Sequence, residues 1–198
     1  MLWGVVRRIL GNPHQSAVDP MQSLVPAKLA HILSSTPELR SAYLVGGCVR
    51  DWLLDKPVND FDIEVFGMNY ERLTSALVGF GQVDLVGRSF GVLKLAVEPG
   101  VTFDFSLPRR ESKHGIGHKG FSVELDPGIT LQEAAARRDF TINALMFDPR
   151  EARVLDFFGG QDDLRNNVLK HTTSLFRGSA ESLAWHADGG TLQAECRR

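Results

Sequence analysis

"LVGGCVRDWLLDKPVNDFDIEV", residues 44–65, sets a Gly-Gly turn a short distance ahead of an Asp-Phe-Asp. The apolar run "SAYLV" (41–45) reads as a buried strand entering Gly46-Gly47, and "VRDWLLD" (49–55) that follows has helical character. In "DFDIEVF" (60–66), Phe61, Ile63 and Val65 alternate with Asp60, Asp62 and Glu64, the period of a half-buried strand. The stretch therefore predicts strand, glycine turn, helix and strand, with all three acids on one face. Residues two apart on a strand have Cα atoms about 6.5–7 Å apart, so Asp60 and Asp62 can bridge divalent cations. Magnesium takes oxygen ligands and commonly uses one or two carboxylates together with substrate phosphates. Two such ions can activate an attacking hydroxyl and stabilise the leaving oxygen of an in-line displacement. Taken alone, a D-x-D pair is more often a solvated strand face and a Gly-Gly only a tight turn. The conjunction favours the chemical reading: backbone that can approach anionic oxygens, a basic Arg50 and paired aspartates share one unit. Glu64 lies farther along the strand and reads as structural or solvated.

Working outward, "LVPAKLAHIL" (24–33) repeats Val25, Leu29, Ile32 and Leu33 at helical spacing after Ser23 and stops by Pro37. "YERLTSALVGF" (70–80) predicts another helix, followed by strands in "QVDLV" (82–86), "FGVLKLAV" (90–97) and "VTFDFSL" (101–107). In the last, Phe103 and Phe105 point one way and Asp104 the other, which makes Asp104 the candidate third carboxylate. Thr130 and Glu133 form a T-x-x-E capping box opening a helix, and "ALMFDPREARVLDFF" (144–158) predicts a hairpin around Asp148-Pro149. "RRDFTINAL" (137–145) gathers Arg137, Arg138, Asp139 and Asn143. Arginine forks bind phosphate bidentately, and Asp or Asn can hold ribose hydroxyls or orient the arginines. The competing reading is a helix C-terminus whose cations suit the dipole. "PRRESKHGIGHKG" (108–120) is the candidate basic patch and predicts a mobile loop able to touch phosphate or RNA backbone. His114 and His118 have helical metal spacing, but Gly-Ile-Gly lies within it and speaks against zinc.

The 198 residues suit one principal domain, and 43% hydrophobic with 23% charged residues is ordinary for a globular protein. No run approaches the roughly 20 apolar residues of a membrane span. A net charge of −2 confines any nucleic-acid contact to a local patch. Cys48 and Cys196, far apart and in unrelated contexts, fit a reducing compartment, with cytoplasm as the expectation. Residues 1–22 read as an N-terminal tail, 23–172 as one domain, and 173–198 as a divergent, poorly ordered tail.

"LVGGCVRDWLLDKPVNDFDIEV", "RRDFTINAL" and "DFFGGQDDLRNNVLKH" (156–171), in that order, closely resemble the head domain of the class II tRNA nucleotidyltransferase and poly(A) polymerase family, the CCA-adding enzymes. The resemblance implies an α+β fold of the polymerase-β-like nucleotidyltransferase kind, a small mixed sheet flanked by helices. It implies attack of an RNA 3′-hydroxyl, most simply that of tRNA, on the α-phosphate of CTP or ATP, with two Mg2+ ions. On the family pattern Asp60 and Asp62 match the metal-binding D-x-D, and Asp104 matches the third acid. Gly46, Gly47, Arg50 and Asp51 match the triphosphate element G-G-x-V-R-D. Arg138, Asp139 and Asn143 match the element at the nucleotide sugar and phosphate, and 107–120 the flexible loop.

Members of the family continue from the "KHT" region into a neck whose E-D-x-x-R element reads the incoming base. Here "SLFRGSAESLAWHADGG" (174–190) stands instead. Codons for residues 179–196 can be chosen so that reading one base later gives a peptide containing approximately "PLRGMQTAARF", which resembles the neck helix. The expectation is therefore a head truncated by a frameshift near residue 178, which the nucleotide sequence would test. Exposed apolar surface where the neck would pack leaves the oligomeric state open. A poly(A) polymerase, an inactive nucleotide- or RNA-binding remnant, and a phosphohydrolase using the same carboxylates on water are the alternatives.

Overall fold

The structure is a computed structural model that describes residues 24–84, 91–113, 121–172, 183–188 and 191–196, with side chains up to residue 110 and again over 125–172. The remaining residues, including His114, His118 and the tail 1–22, lie outside the described residues. In chain order the elements are α1 (Ala27–Ser35), a 3-10 turn (Pro37–Ser41), β1 (Ala42–Val45), α2 (Gly47–Leu53), β2 (Asp62–Val65), α3 (Tyr70–Leu77), β3 (Gln82–Asp84), β4 (Val92–Glu98) and β5 (Val101–Ser106). They continue with β6 (Arg109–Lys113), β7 (Phe121–Leu125), α4 (Leu131–Ala136), β8 (Met146–Asp148), β9 (Arg153–Leu155), α5 (Gly160–Arg165), β10 (Val168–Leu169), β11 (Leu183–Asp188) and β12 (Thr191–Cys196).

Seven strands form the main sheet in the order β3-β4-β5-β2-β1-β8-β9. Only β2 and β5 run parallel, so the sheet is mixed, and their register sets Asp62 beside Asp104 and Ile63 beside Phe105. Leu44, Ile63, Phe103, Phe105 and Phe147 are almost fully buried and join Leu29, Ile32, Leu73 and Leu77 from the helices in one core. Burial of such side chains, each contributing roughly 1.5–3 kcal/mol, fixes which face of each strand turns inward. The alternation in β5 buries Phe103 and Phe105 and leaves Asp104 on the other side, as its sequence pattern requires.

Among the described residues the elements expected from 24 to 158 are present, with three informative differences, and a fourth lies beyond them. The first helix begins at Ala27 because Pro26, at φ −58° and ψ 146°, is its cap and cannot donate into a preceding turn. β2 begins at Asp62, so Asp60 precedes the strand instead of lying within it. The reason is pairing: the β1–β2 ladder ends with Leu44 opposite Ile63, just before the chain turns at Gly46-Gly47, leaving Asp60 without a ladder partner on that side. The segment expected as a loop over 107–120 is in part a ribbon, with Arg109–Lys113 paired to Phe121–Leu125. Finally, the tail expected to be poorly ordered contains a hairpin, β11 with β12, that adds to β10. Its two strands are "LAWHAD" (183–188) and "TLQAEC" (191–196).

The capping box is formed, Thr130 Oγ1 accepting from Glu133 N at 3.2 Å while Glu133 Oε2 accepts from Thr130 N at 2.9 Å. At the β8–β9 turn, buried Asp148 receives the Arg150 guanidinium, which also donates to Tyr43 Oη at 3.0 Å. Burial pulls the Asp148 pKa upward, but the hydrogen bonds and charge of Arg150 outweigh it and hold the carboxyl below its ordinary value. A depressed carboxylate contributes stability above its unfolded pKa of about 3.9, and the contribution is lost as pH falls through the lower folded value. Denaturant titrations from about pH 5 downward should therefore show a shallower acid loss for Asp148→Asn than for the parent.

Candidate active site

Gly46 makes the turn after β1 with φ 75° and ψ −133°, backbone that a side chain strongly disfavours. Its N–H donates to Leu145 O at 3.2 Å, tying the turn to the "RRDFTINAL" segment. A Cβ on Gly46 would lie 2.7 Å from Arg138 Nη1, so the arginine occupies the space that the glycine leaves. Behind the turn, Cys48 is a buried free thiol donating to Val45 O at 3.2 Å, and burial pushes its pKa up to about 11. This is an inert packing thiol, not a nucleophile.

Arg50, one turn into α2, grips Asp51 through two parallel hydrogen bonds of 2.9 and 3.1 Å and donates to Asn143 Oδ1 at 2.6 Å. Asn143 Nδ2 in turn donates to Asp139 Oδ1 at 3.0 Å. Four candidate residues from opposite ends of the domain thus form one chain, Asp51–Arg50–Asn143–Asp139. Arg50 spends three of its N–H groups inside the protein and braces α2 against the segment after α4. The backbone there is held from the other side: His171 Nδ1 lies 3.1 Å from Asp139 O, and Thr172 Oγ1 donates to the carbonyl of Arg138.

Asp62 and Asp104 line a cleft of about 370 Å³ together with Glu64, Arg109, Arg137 and Arg138. Asp60 is exposed just ahead of β2. Although Asp62 is solvent-accessible as a residue, lost hydration is the largest cause raising its pKa. Asp104 and Asp60 add to the rise, and Arg138 opposes it. The carboxylates are therefore within electrostatic reach of one another. Lys94, directly opposite on β4, approaches Asp104 Oδ1 to 3.3 Å, and that oxygen is buried without a hydrogen bond. An exposed lysine pair of this kind is worth about 0–1 kcal/mol and does not lock the carboxylate. Among the described residues no three His, Cys, Asp or Glu side chains are yet drawn into a metal-binding group. The donor set nevertheless fits a hard divalent ion: all its atoms are carboxylate oxygens, and one is buried and unsatisfied.

Gathering carboxylates has a cost in stability. A folded-state pKa above the unfolded value means that ionised Asp62 opposes folding above about pH 3.9. Asp62→Asn should raise the melting temperature at pH 7 without magnesium by roughly 1–3 °C. The gain should vanish in acid, where both forms are neutral.

Of the two expectations for Glu64, structural or solvated, the structure supports the first. The side chain is buried and faces Arg138, with Oε2 and Nη2 3.7 Å apart. The strict alternation in "DFDIEV" was the available signal, because it sets Glu64 on the same face as Asp62.

A mixed sheet that sets the Asp62 strand parallel to the Asp104 strand, with a glycine turn beside it, is the architecture of the nucleotidyltransferase head. The model of the Poly A polymerase head domain matches residues 42–170, and the chain belongs to that family. It is 42% identical over 135 residues to the Multifunctional CCA protein of Xylella fastidiosa (strain M12), covering 68% of this chain and 30% of that one. Among solved structures it is similar to the Bacillus stearothermophilus CCA-adding enzyme in complex with CTP, with TM-score 0.57 and 26% identity over 76% of this chain and 35% of that one. The Thermotoga maritima CCA-adding enzyme complexed with tRNA-CCA gives TM-score 0.57 and 26% identity over 79% and 35%. The chain thus spans about 30% of the length of the curated relative.

Proposed function

We propose that this chain is the catalytic head of an enzyme that transfers CMP or AMP from CTP or ATP to the 3′-hydroxyl of RNA, with the tRNA 3′ end as substrate. The observation that carries the reading is the parallel register of Asp62 with Asp104 in the cleft that Arg138 also lines. It sets two carboxylates on adjacent strands beside an arginine that rests on the glycine turn. In the reaction the RNA 3′-oxygen forms a bond to the α-phosphorus, the α–β anhydride breaks, pyrophosphate leaves, and the hydroxyl proton passes to solvent.

Asp60, Asp62 and Asp104 are the residues that would hold Mg2+, which when bound supplies Lewis acidity to the reacting oxygens. Gly46 and Gly47 let the triphosphate approach the backbone, and Arg138 supplies positive charge beside them. Arg50 and Asp51 act by holding the turn and the Asp139–Asn143 segment in register, and that chain of bonds positions Asp139 and Asn143 beside the nucleotide sugar. Such positioning supplies much of the catalysis in phosphoryl transfer. Residues 23–172 form this head and 173–198 a divergent segment after it. A cytoplasmic setting is proposed from the two widely separated cysteines of the sequence; among the described residues no helix is long and apolar enough to cross a membrane.

Calorimetric titration of the chain with CTP and with ATP, in magnesium and in EDTA, tests the reading. Binding that requires magnesium is expected, and equal binding in EDTA would remove the role given to the carboxylates. A poly(A) polymerase is the second reading, favoured by the family description itself. It predicts use of ATP and refusal of CTP.

A further inference from the structure

We propose that Glu64 is a positioning residue that aims the Arg138 guanidinium at the nucleotide phosphates; the inference rests on the nucleotidyltransferase reading of the cleft.

Glu64 is 5% exposed, and its Oε2 is buried without a hydrogen bond. A buried carboxylate is costly unless a partner compensates for its lost hydration. The compensating charge is Arg138, whose Nη2 lies 3.7 Å from that oxygen. The other Arg138 terminal nitrogen, Nη1, fills the space over Gly46, and its Nε is likewise buried without a hydrogen bond. The backbone of Arg138 is independently fixed, its N–H donating to Ala135 O at 3.2 Å and its carbonyl accepting from Thr172.

Two separate devices therefore act on one residue. Backbone bonds fix where the side chain starts, and the Glu64 charge fixes where its head goes. At 3.7 Å the pair is an ion pair without a full hydrogen bond, so the N–H groups of the fork remain able to donate to an incoming anion. A shorter, bidentate carboxylate contact would consume them, as Asp51 does to Arg50 on the other side of the same turn. Replacing the charge of Glu64 leaves Arg138 free to swing toward Asp62 and Asp104, which share its cleft. Such a swing withdraws cationic charge from the turn and sets it on carboxylates that the metal nucleotide needs.

The test uses the full chain and the variants Glu64→Gln, Arg138→Ala and the double variant. Magnesium-ATP and magnesium-CTP affinities are measured by calorimetry, and the Arg138 Nε–H resonance by two-dimensional NMR, assigned by its loss in Arg138→Lys. Glu64→Gln should weaken nucleotide binding about tenfold while the backbone amide spectrum stays native. It should have no further effect when Arg138 is already alanine, because the charge acts through that side chain. The Nε–H resonance, sharp and dispersed in the parent, should broaden or move to the random-coil position in Glu64→Gln. An equal loss on both backgrounds, or an unchanged Nε–H resonance, would overturn the proposal. The resonance needs no ligand, so failure of the parent to bind nucleotide would count against the enzymatic reading while the NMR arm still decides whether Glu64 positions Arg138.

Discussion

Replacing Asp60 and Asp62 together by alanine should abolish the magnesium-dependent part of nucleotide binding, a loss of at least about 100-fold in affinity, or roughly 2.7 kcal/mol. The fold should survive. Asp60 precedes the strand and Asp62 is solvent-accessible, so neither side chain belongs to the core formed by Leu44, Ile63, Phe103 and Phe105. Removing two like charges near Asp104 also relieves the strain expressed in the raised Asp62 pKa, so the double variant should melt no lower than the parent. Loss of binding with retained or improved stability is the signature of residues that serve a ligand. Calorimetry with CTP and ATP, paired with thermal denaturation, measures both halves. A double variant that melts much lower would mean that the aspartates support the fold instead.

Gly46→Ala should act on stability and binding at once. The backbone at φ 75° and ψ −133° imposes about 1–3 kcal/mol of strain on any residue with a Cβ. The new methyl would also stand 2.7 Å from Arg138 Nη1 and push the guanidinium off the turn. On the proposed function, nucleotide affinity should then fall by about tenfold or more, as the cation leaves the glycine turn. Gly67→Ala is the matched control: its φ is also positive, 74°, but nothing lies within 4 Å of the added methyl. It should show the backbone cost alone, with nucleotide affinity unchanged. Denaturant melts and titrations on the two variants separate the strain from the displacement of Arg138, and equal affinities would remove the arginine from the account.

Both predictions depend on contacts that the sequence discloses unequally. The strand-turn-helix-strand unit at 44–65 was legible because apolar residues recur at strand period on both sides of an obligatory glycine. Asp104 was legible for the same reason, since two buried phenylalanines on either side force it outward. Register across distant segments was not legible, because nothing local states that β2 runs parallel to β5 or that Asp62 pairs with Asp104. The same holds for the Arg50–Asn143 bond, between residues 93 positions apart. Sequence chemistry suggested that Arg50 faces phosphate, but could not disclose Asp51 and Asn143 as its partners within the fold. Glu64 shows the converse case: its face was readable, but its burial depended on Arg138 arriving from the far side of the domain. At the C-terminal end, scattered charge obscured the alternation that pairs Leu183 with Cys196 and Asp188 with Thr191.

The most direct measurement is primer extension on a tRNA transcript lacking its CCA end, with α-labelled CTP or ATP supplied separately in magnesium, beside the Asp60→Ala, Asp62→Ala double variant. Label joined to the RNA by the parent and absent with the double variant is the predicted result, and the nucleotide used distinguishes CCA addition from poly(A) synthesis. Release of phosphate from the nucleotide with no label in RNA, or incorporation that persists in the double variant, would contradict the assignment of nucleotidyl transfer to this site.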